Sequence, residues 1–191
     1  VANDGKYVYY TSAEVSPVEK HLFRIGIKVG KTASVKGIAA VKVGKTERLT
    51  TEAGWHDIAM SPDCSHFIDS WSNLTTPRVI DLCTADGKTA KNLLTAEDPT
   101  AAYAYSEISL GTVKSADGLY DNYYRLIKPL DFDPSKKYPL IVYVYGGPPS
   151  QMVKDTYMAE LRRWEMNMAQ KGYIVYVQDN RGTQNRGLEF E

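Results

Sequence analysis

The sequence predicts a mixed fold in which a β-rich domain, built from propeller-type blades, runs into the opening of an α/β domain. Three observations carry that expectation. The first half alternates β-branched and aromatic residues with polar ones in short runs, each broken by Gly, Pro, Asn or Asp. Beyond "TAEDPTAAYAYSE" the pattern changes to a hairpin and then to strand, amphipathic helix, strand. Only one four-strand unit is complete, and such a meander cannot bury both of its faces without neighbours stacked around it.

In chain order, "KYVYYTSAE" and "HLFRIGIKV" form the first strand pair, and "VKVGKTERLT" follows with Gly44 and Lys45 as a hairpin turn. The complete blade is "HDIAMSPDCSHFIDSWSNLTTPRVIDLCTADGKTAKNLL", where "SPD", "SNLTTP" and "ADGK" punctuate four strands. "EISLGTVKSADGLYDNYYRLIKPL" gives two strands joined around Asp117 and Gly118. The polar stretch "DFDPSKKYP" leads into "LIVYVY", a run expected to be a buried strand. Tyr157, Leu161, Trp164 and Met168 then share one face of an amphipathic helix that Gly172 ends. "YIVYVQ" closes a βαβ unit of a parallel sheet. A hairpin feeding such a unit is how many α/β-hydrolase sheets begin. Composition and periodicity alone stop at the end of a β-rich domain, residues 1–104 with one partial and one complete blade, joined to the start of an α/β domain, residues 105–191.

Composition narrows the functional classes. Twenty-three basic residues balance 23 acidic ones, so no global field recruits nucleic acid or an anionic membrane. No apolar run approaches the roughly 20 residues of a membrane span. The opening "VANDGKYVYY" has no leader-like pattern and reads as a turn entering a strand, so an internal piece of a longer protein is expected. Cys64 and Cys83 lack metal-ligand spacing and read as packed thiols, with a disulfide between them left open. His21, His56 and His66 lie in the strand-rich half and read as strand or turn residues making ordinary hydrogen bonds. Core packing is the economical reading of Trp55 and His56, a lining of the propeller channel the alternative. "NLT" at Asn73 fits both an N-glycosylation acceptor and a blade turn. No metal or organic cofactor is called for.

The turn "VYGGPPSQ" is the most specific feature. Gly146 and Gly147 permit a sharp reversal, while Pro148 and Pro149 fix φ and remove two amide donors. Taken alone, Tyr145 reads as the last rim residue of its strand. Together with "MAQKGY" and "DNRGTQNRGLEF", however, the turn resembles the prolyl oligopeptidase family, and within it the dipeptidyl peptidase IV branch. The resemblance is strongest from Lys136 to Glu191. It implies the C-terminal blades of a β-propeller (residues 1–104) followed by the first β-hairpin and βαβ unit of an α/β-hydrolase domain (residues 105–191, its N-terminal part), with Tyr145 as the oxyanion-stabilising tyrosine on the loop after the third hydrolase strand. In "DNRGTQNRG", Asp179, Arg181 and Arg186 are expected to satisfy the loop backbone and pair with one another, a structural role.

The implied activity is that of a serine exopeptidase of bacterial type, removing N-terminal dipeptides with proline or alanine in the penultimate position through a Ser-His-Asp triad. No G-x-S-x-G elbow occurs in the sequence, so the triad and the amine-binding glutamates are expected outside it and the isolated chain is expected to be inactive. The alternatives are a prolyl tripeptidyl peptidase and a catalytically inactive propeller/hydrolase scaffold. The expected partners are a peptide substrate and, from an unpaired strand edge and an uncovered apolar face, another copy of the chain in self-association or a homodimer. A periplasmic or other extracytoplasmic location follows from the resemblance alone.

Overall fold

A computed structural model describes residues 1–29, 41–147 and 150–190. Among these residues three sheets carry the fold, with one short α-helix.

The first sheet is the antiparallel set β1 (Tyr7–Ser12), β2 (His21–Val29) and β3 (Val41–Arg48). Gly44 and Lys45 lie inside β3 and do not form the expected hairpin turn. The pairing of β2 with β3 slips between Ile25 and Ile27, and a Cβ on Gly44 would stand 3.1 Å from the Gly26 carbonyl oxygen. The glycine thus serves a close approach of two backbones at an irregular pairing.

The second sheet, called the blade for its propeller-like meander, has the four expected strands. β4 (Trp55–Met60), β5 (His66–Ser72), β6 (Val79–Thr84) and β7 (Thr89–Thr95) form a four-stranded antiparallel meander. Its turns are those the three polar segments mark. Asp63 accepts from the Ser65 N–H at 3.1 Å and the Ser61 hydroxyl at 2.6 Å, which holds its carboxyl down at about 2. Asn73 accepts from the Thr76 N–H at 2.8 Å and donates to the Ala53 carbonyl at 3.2 Å.

One blade face packs against the first sheet. Phe67 and Cys83 join Leu22 and Leu49 in a buried cluster, lined by Tyr9, Ile58 and Met60. The same period-2 face carries His56 and Asp69, so polar residues enter the seam. His56 Nδ1 lies 2.9 Å from the Asp69 carboxylate, and its ring stands 5.0 Å from that of His21. His21 Nδ1 meets the Thr50 hydroxyl at 3.1 Å, and its Nε2 meets Glu19 at 2.9 Å. Cys64 and Cys83 are both free thiols.

The third sheet has the order β10-β11-β9-β8. β8 (Ile108–Lys114) and β9 (Asp121–Ile127) are the expected hairpin, β9 runs antiparallel to β11 (Ile174–Gln178), and β11 runs parallel to β10 (Leu140–Tyr143). Between the parallel strands lies α1 (Arg163–Gln170), which packs on β11 and β9 over Ile127, Val175, Val177 and its own Ala169. Gly172, at φ +88, follows the helix as expected.

Two expectations fail in this unit. α1 is only eight residues long, because Met158, Ala159 and Glu160 sit at φ near +50 in a turn (Tyr157–Glu160) that precedes it. Left-handed backbone costs about 1–2 kcal/mol per residue, and tertiary contacts hold it there. The Tyr157 N–H donates to the Ser72 hydroxyl at 3.2 Å, the Met158 N–H to the Leu74 carbonyl at 3.1 Å, and the Tyr157 hydroxyl to Asp98. Tyr157 therefore belongs to the contact with the blade, while Leu161 and Met168 keep their core positions. The second failure is β10 itself. It is an edge strand with alternate residues turned outward, Leu140 57% and Val142 58% exposed, since α1 covers only the opposite face. Among the described residues no helix is long and apolar enough to cross a membrane.

Candidate active-site turn

β10 and β11 are parallel, so both carboxyl ends point the same way, and loops beyond such ends are where α/β sheets bind ligands. Tyr145 lies just beyond the carboxyl end of β10, and the 179–190 loop just beyond that of β11. The Tyr145 side chain is 57% exposed and is not sealed into the core. Gly146 takes φ +73, open to glycine at no steric cost, and a Cβ on Gly147 would lie 2.8 Å from Tyr145 Cε1. The two glycines thus let the chain reverse with the ring folded back over it. The Ser150 N–H donates to the Gly147 carbonyl at 3.1 Å. Pro148 and Pro149, expected to stiffen the turn, lie outside the described residues.

The two ends of the turn are fastened to β11 and to the residue that follows it. On the way in, Tyr143 pairs with Val177. On the way out, Asp179, two residues further along, accepts the Met152 N–H at 2.7 Å and the Val153 N–H at 3.0 Å. Burial pushes the Asp179 carboxyl pKa up, while those two amides and the nearby Arg125 oppose the shift. Gln151 braces the same end: its Nε2 donates to Pro17 O at 2.7 Å and Val153 O at 2.9 Å, and its Oε1 accepts from Asn185 Nδ2 at 2.8 Å.

Beneath the turn lies an ion pair that the sequence did not reveal. Arg125 on β9 donates through Nη2 to both Glu165 oxygens at 3.0 and 2.9 Å, with side-chain exposures of 2% and 0%. Its Nη1 reaches the carbonyls of Met152 at 3.1 Å and Ala159 at 2.6 Å. One guanidinium therefore joins β9, the chain leaving the turn, the left-handed turn and α1. A signal did exist, because Arg125 has the same strand parity as the fully buried Ile127, and Glu165 lies four residues from the fully buried Ala169 on the helix.

The other expected residues are dispersed. Arg181 pairs with Asp117 at 3.5 Å and donates to the Tyr120 hydroxyl at 3.2 Å, and Asp179 spends its carboxylate on amides, so their expected mutual pairing is replaced by contacts outside the loop. Arg186 donates to the Asp121 carbonyl at 2.7 Å and covers the Phe190 ring at 4.0 Å. His21 and His56 belong to the seam between the first two sheets, and His66 sits beside Ser65 in a blade turn. Trp55 carries Lys20 and Lys154 over its ring at 4.7 and 5.0 Å. No group of three or more metal-ligating side chains occurs among the described residues.

Comparison with known proteins bears directly on this set of propeller-like antiparallel sheets and a parallel strand pair. Residues 1–78 match the family described as the dipeptidyl peptidase IV (DPP IV) N-terminal region. Human dipeptidyl peptidase 8 is 32% identical over 197 residues, covering 97% of this chain and 20% of the human protein. Mouse prolyl endopeptidase FAP is 42% identical over 78 residues, 40% of this chain and 10% of the mouse protein. The crystal structure of Porphyromonas gingivalis dipeptidyl peptidase 4 superposes with a TM-score of 0.78 at 32% identity, covering 99% of this chain and 25% of that one. These matches all fall in the dipeptidyl peptidase IV branch of the prolyl oligopeptidase family, to which the chain is similar over nearly its whole extent. It spans about a fifth of the length of the curated relatives it matches over nearly its whole extent.

Proposed function

We propose that this chain forms the closing part of a β-propeller (residues 1–104) and the opening part of an α/β-hydrolase domain (residues 105–191) in a serine exopeptidase. The enzyme removes N-terminal dipeptides with proline or alanine in the penultimate position, and Tyr145 donates a hydrogen bond to the oxyanion of the acyl-transfer intermediate. The observation that carries this reading is the Tyr145 ring, exposed beyond the carboxyl end of a parallel strand on a turn fastened at both ends.

The chemistry follows from the phenol. With an ordinary pKa near 10 a tyrosine hydroxyl is a donor at neutral pH. Attack on a peptide carbonyl places a full charge on its oxygen, and a donor held where that charge develops stabilises the transition state more than the ground state. The nucleophile, its histidine and its acid come from sequence beyond these 191 residues. What this chain supplies is one donor and the scaffold that aims it.

Two chromogenic substrates test the proposal, one with a free N-terminal Xaa-Pro dipeptide and one with a tripeptide ending in proline. The full-length protein is expected to turn over the first and the isolated chain neither. Turnover by the isolated chain would overturn the division of labour. Preference for the tripeptide would reassign the enzyme as a tripeptidyl peptidase, and loss of both activities in the full-length protein would reassign it as a scaffold.

A further inference from the structure

The turn that carries Tyr145 is fixed by a residue on a different element. Met152, which leaves the turn, is held on both sides of its peptide unit: Asp179 accepts its N–H at 2.7 Å, and Arg125 donates to its carbonyl at 3.1 Å. Asp179 also takes the next amide, that of Val153, at 3.0 Å, while its own N–H donates to the Tyr123 carbonyl on β9 at 3.0 Å. The aspartate is almost fully buried, and so is Val153. A buried carboxylate that spends both oxygens on two consecutive backbone amides holds a segment in place far more firmly than a surface contact does, since releasing either amide leaves a buried polar group unpaired.

We propose that Asp179 is a positioning residue for catalysis: by capturing the Met152 and Val153 amides it sets where the Tyr145 hydroxyl sits relative to the reacting carbonyl, with Gln151 as a secondary brace. This rests on the reading of Tyr145 as an oxyanion donor. Asp179 touches neither substrate nor the reacting atoms, so its influence passes through the turn. The entering end is fixed by strand pairing and the leaving end by Asp179, so loosening the carboxylate frees one end only. The chain stays folded around β11 while Tyr145 loses its register. The expected signature is a loss in kcat with little change in KM, because an oxyanion donor acts in the transition state.

Asp179→Asn is the isosteric perturbation. One amide keeps an oxygen acceptor, and the other meets an NH2 group, a donor facing a donor. Misplacing a catalytic group by about 1 Å costs on the order of 100-fold in rate. The test is a double-mutant cycle in the full-length enzyme with Tyr145→Phe, reading kcat and KM on the Xaa-Pro chromogen, with the fold of each variant checked by its circular dichroism spectrum. Asp179→Asn is expected to lower kcat by about 100-fold with KM within about threefold. In the Tyr145→Phe background the same change is expected to cost less than about twofold, because the group it positions is gone.

Multiplicative losses would overturn the proposal and leave the Tyr145 reading standing, as would an unchanged kcat in Asp179→Asn. An unchanged kcat in Tyr145→Phe would overturn that reading and the proposal with it. Should Asp179→Asn not fold, Gln151→Met carries the same cycle: a fall in kcat that vanishes in the Tyr145→Phe background supports the proposal, and a fall that persists there, or no fall, overturns it.

Discussion

Replacing Glu165 with leucine strips Arg125 of its counter-charge and of two charge-assisted hydrogen bonds at 3.0 and 2.9 Å, in a site where neither side chain is more than 2% exposed. What remains is a buried guanidinium with two carbonyl partners and an Nε that has none. Breaking a buried pair by removing one partner costs about 3–5 kcal/mol. The Arg162 N–H, which donates to Glu165 at 3.2 Å, loses its acceptor as well. The double variant Arg125→Met/Glu165→Leu removes both charges but leaves the Met152 and Ala159 carbonyls without their donor, at about 1–3 kcal/mol for each buried group. That total of about 2–6 kcal/mol overlaps the cost of Glu165→Leu alone, and because each single variant leaves an unpaired buried charge that the double variant lacks, the double variant should cost at least about 2 kcal/mol less than the sum of Arg125→Met and Glu165→Leu. Hydrogen exchange of the 162–170 peptide in the full-length protein is the suitable assay, since it reads the local opening of α1 where a multidomain unfolding curve would not be two-state. Protection lowered by less than about 1 kcal/mol in Glu165→Leu, or losses that simply add in the double variant, would refute the reasoning.

Two further outcomes follow from the same structure. Burial lowers the His21 pKa from its ordinary 6.5, chiefly against the hydrogen bond to Glu19, with His56 and Arg48 adding to the lowering. The unfolded chain then takes up the proton first, so the stabilisation is complete above pH 6.5 and fades as pH falls through that value toward the folded-state pKa. Melting temperatures between about pH 5 and 8 should fall toward acid in the wild type and flatten in His21→Gln, and an identical slope in both would contradict this. Leu140 and Val142 are 57% and 58% exposed on the outer face of an edge strand, so the 191-residue chain by itself should associate in dilute solution. Sedimentation velocity should show this association weakened by Leu140→Lys/Val142→Lys, and a monodisperse monomer of the unaltered chain would count against it.

Period-two patterns made the blade and the hairpin legible, because sheet faces differ in burial and the alternation records it, while the parallel pair was read from two apolar runs flanking a helix-period stretch. The errors arose where tertiary contacts overruled a local pattern. Gly44 and Lys45 look like a turn, yet the glycine is needed where two strands approach closely at a register slip. Tyr157 falls in helical phase with Leu161, but its hydroxyl is drawn to Asp98, 59 residues away along the chain. The "LIVYVY" run announces burial without saying what provides it, and only one face of β10 is covered. For the site, motif reading located Tyr145 and its glycines. It did not reveal the clamp behind them, because Asp179 reaches amides 26 and 27 residues away and the charge of Arg125 by itself reads as solvent-facing, although its strand parity with Ile127 marks the buried face.

The central claim is that the Tyr145 phenol carries transition-state charge, and the steady-state kinetics of Tyr145→Phe in the full-length enzyme address it most directly. The account predicts a loss of about 2.7–4 kcal/mol of transition-state stabilisation, a fall in kcat of roughly 100- to 1000-fold, with KM little changed. A phenylalanine variant that turns over substrate as fast as the parent would contradict it.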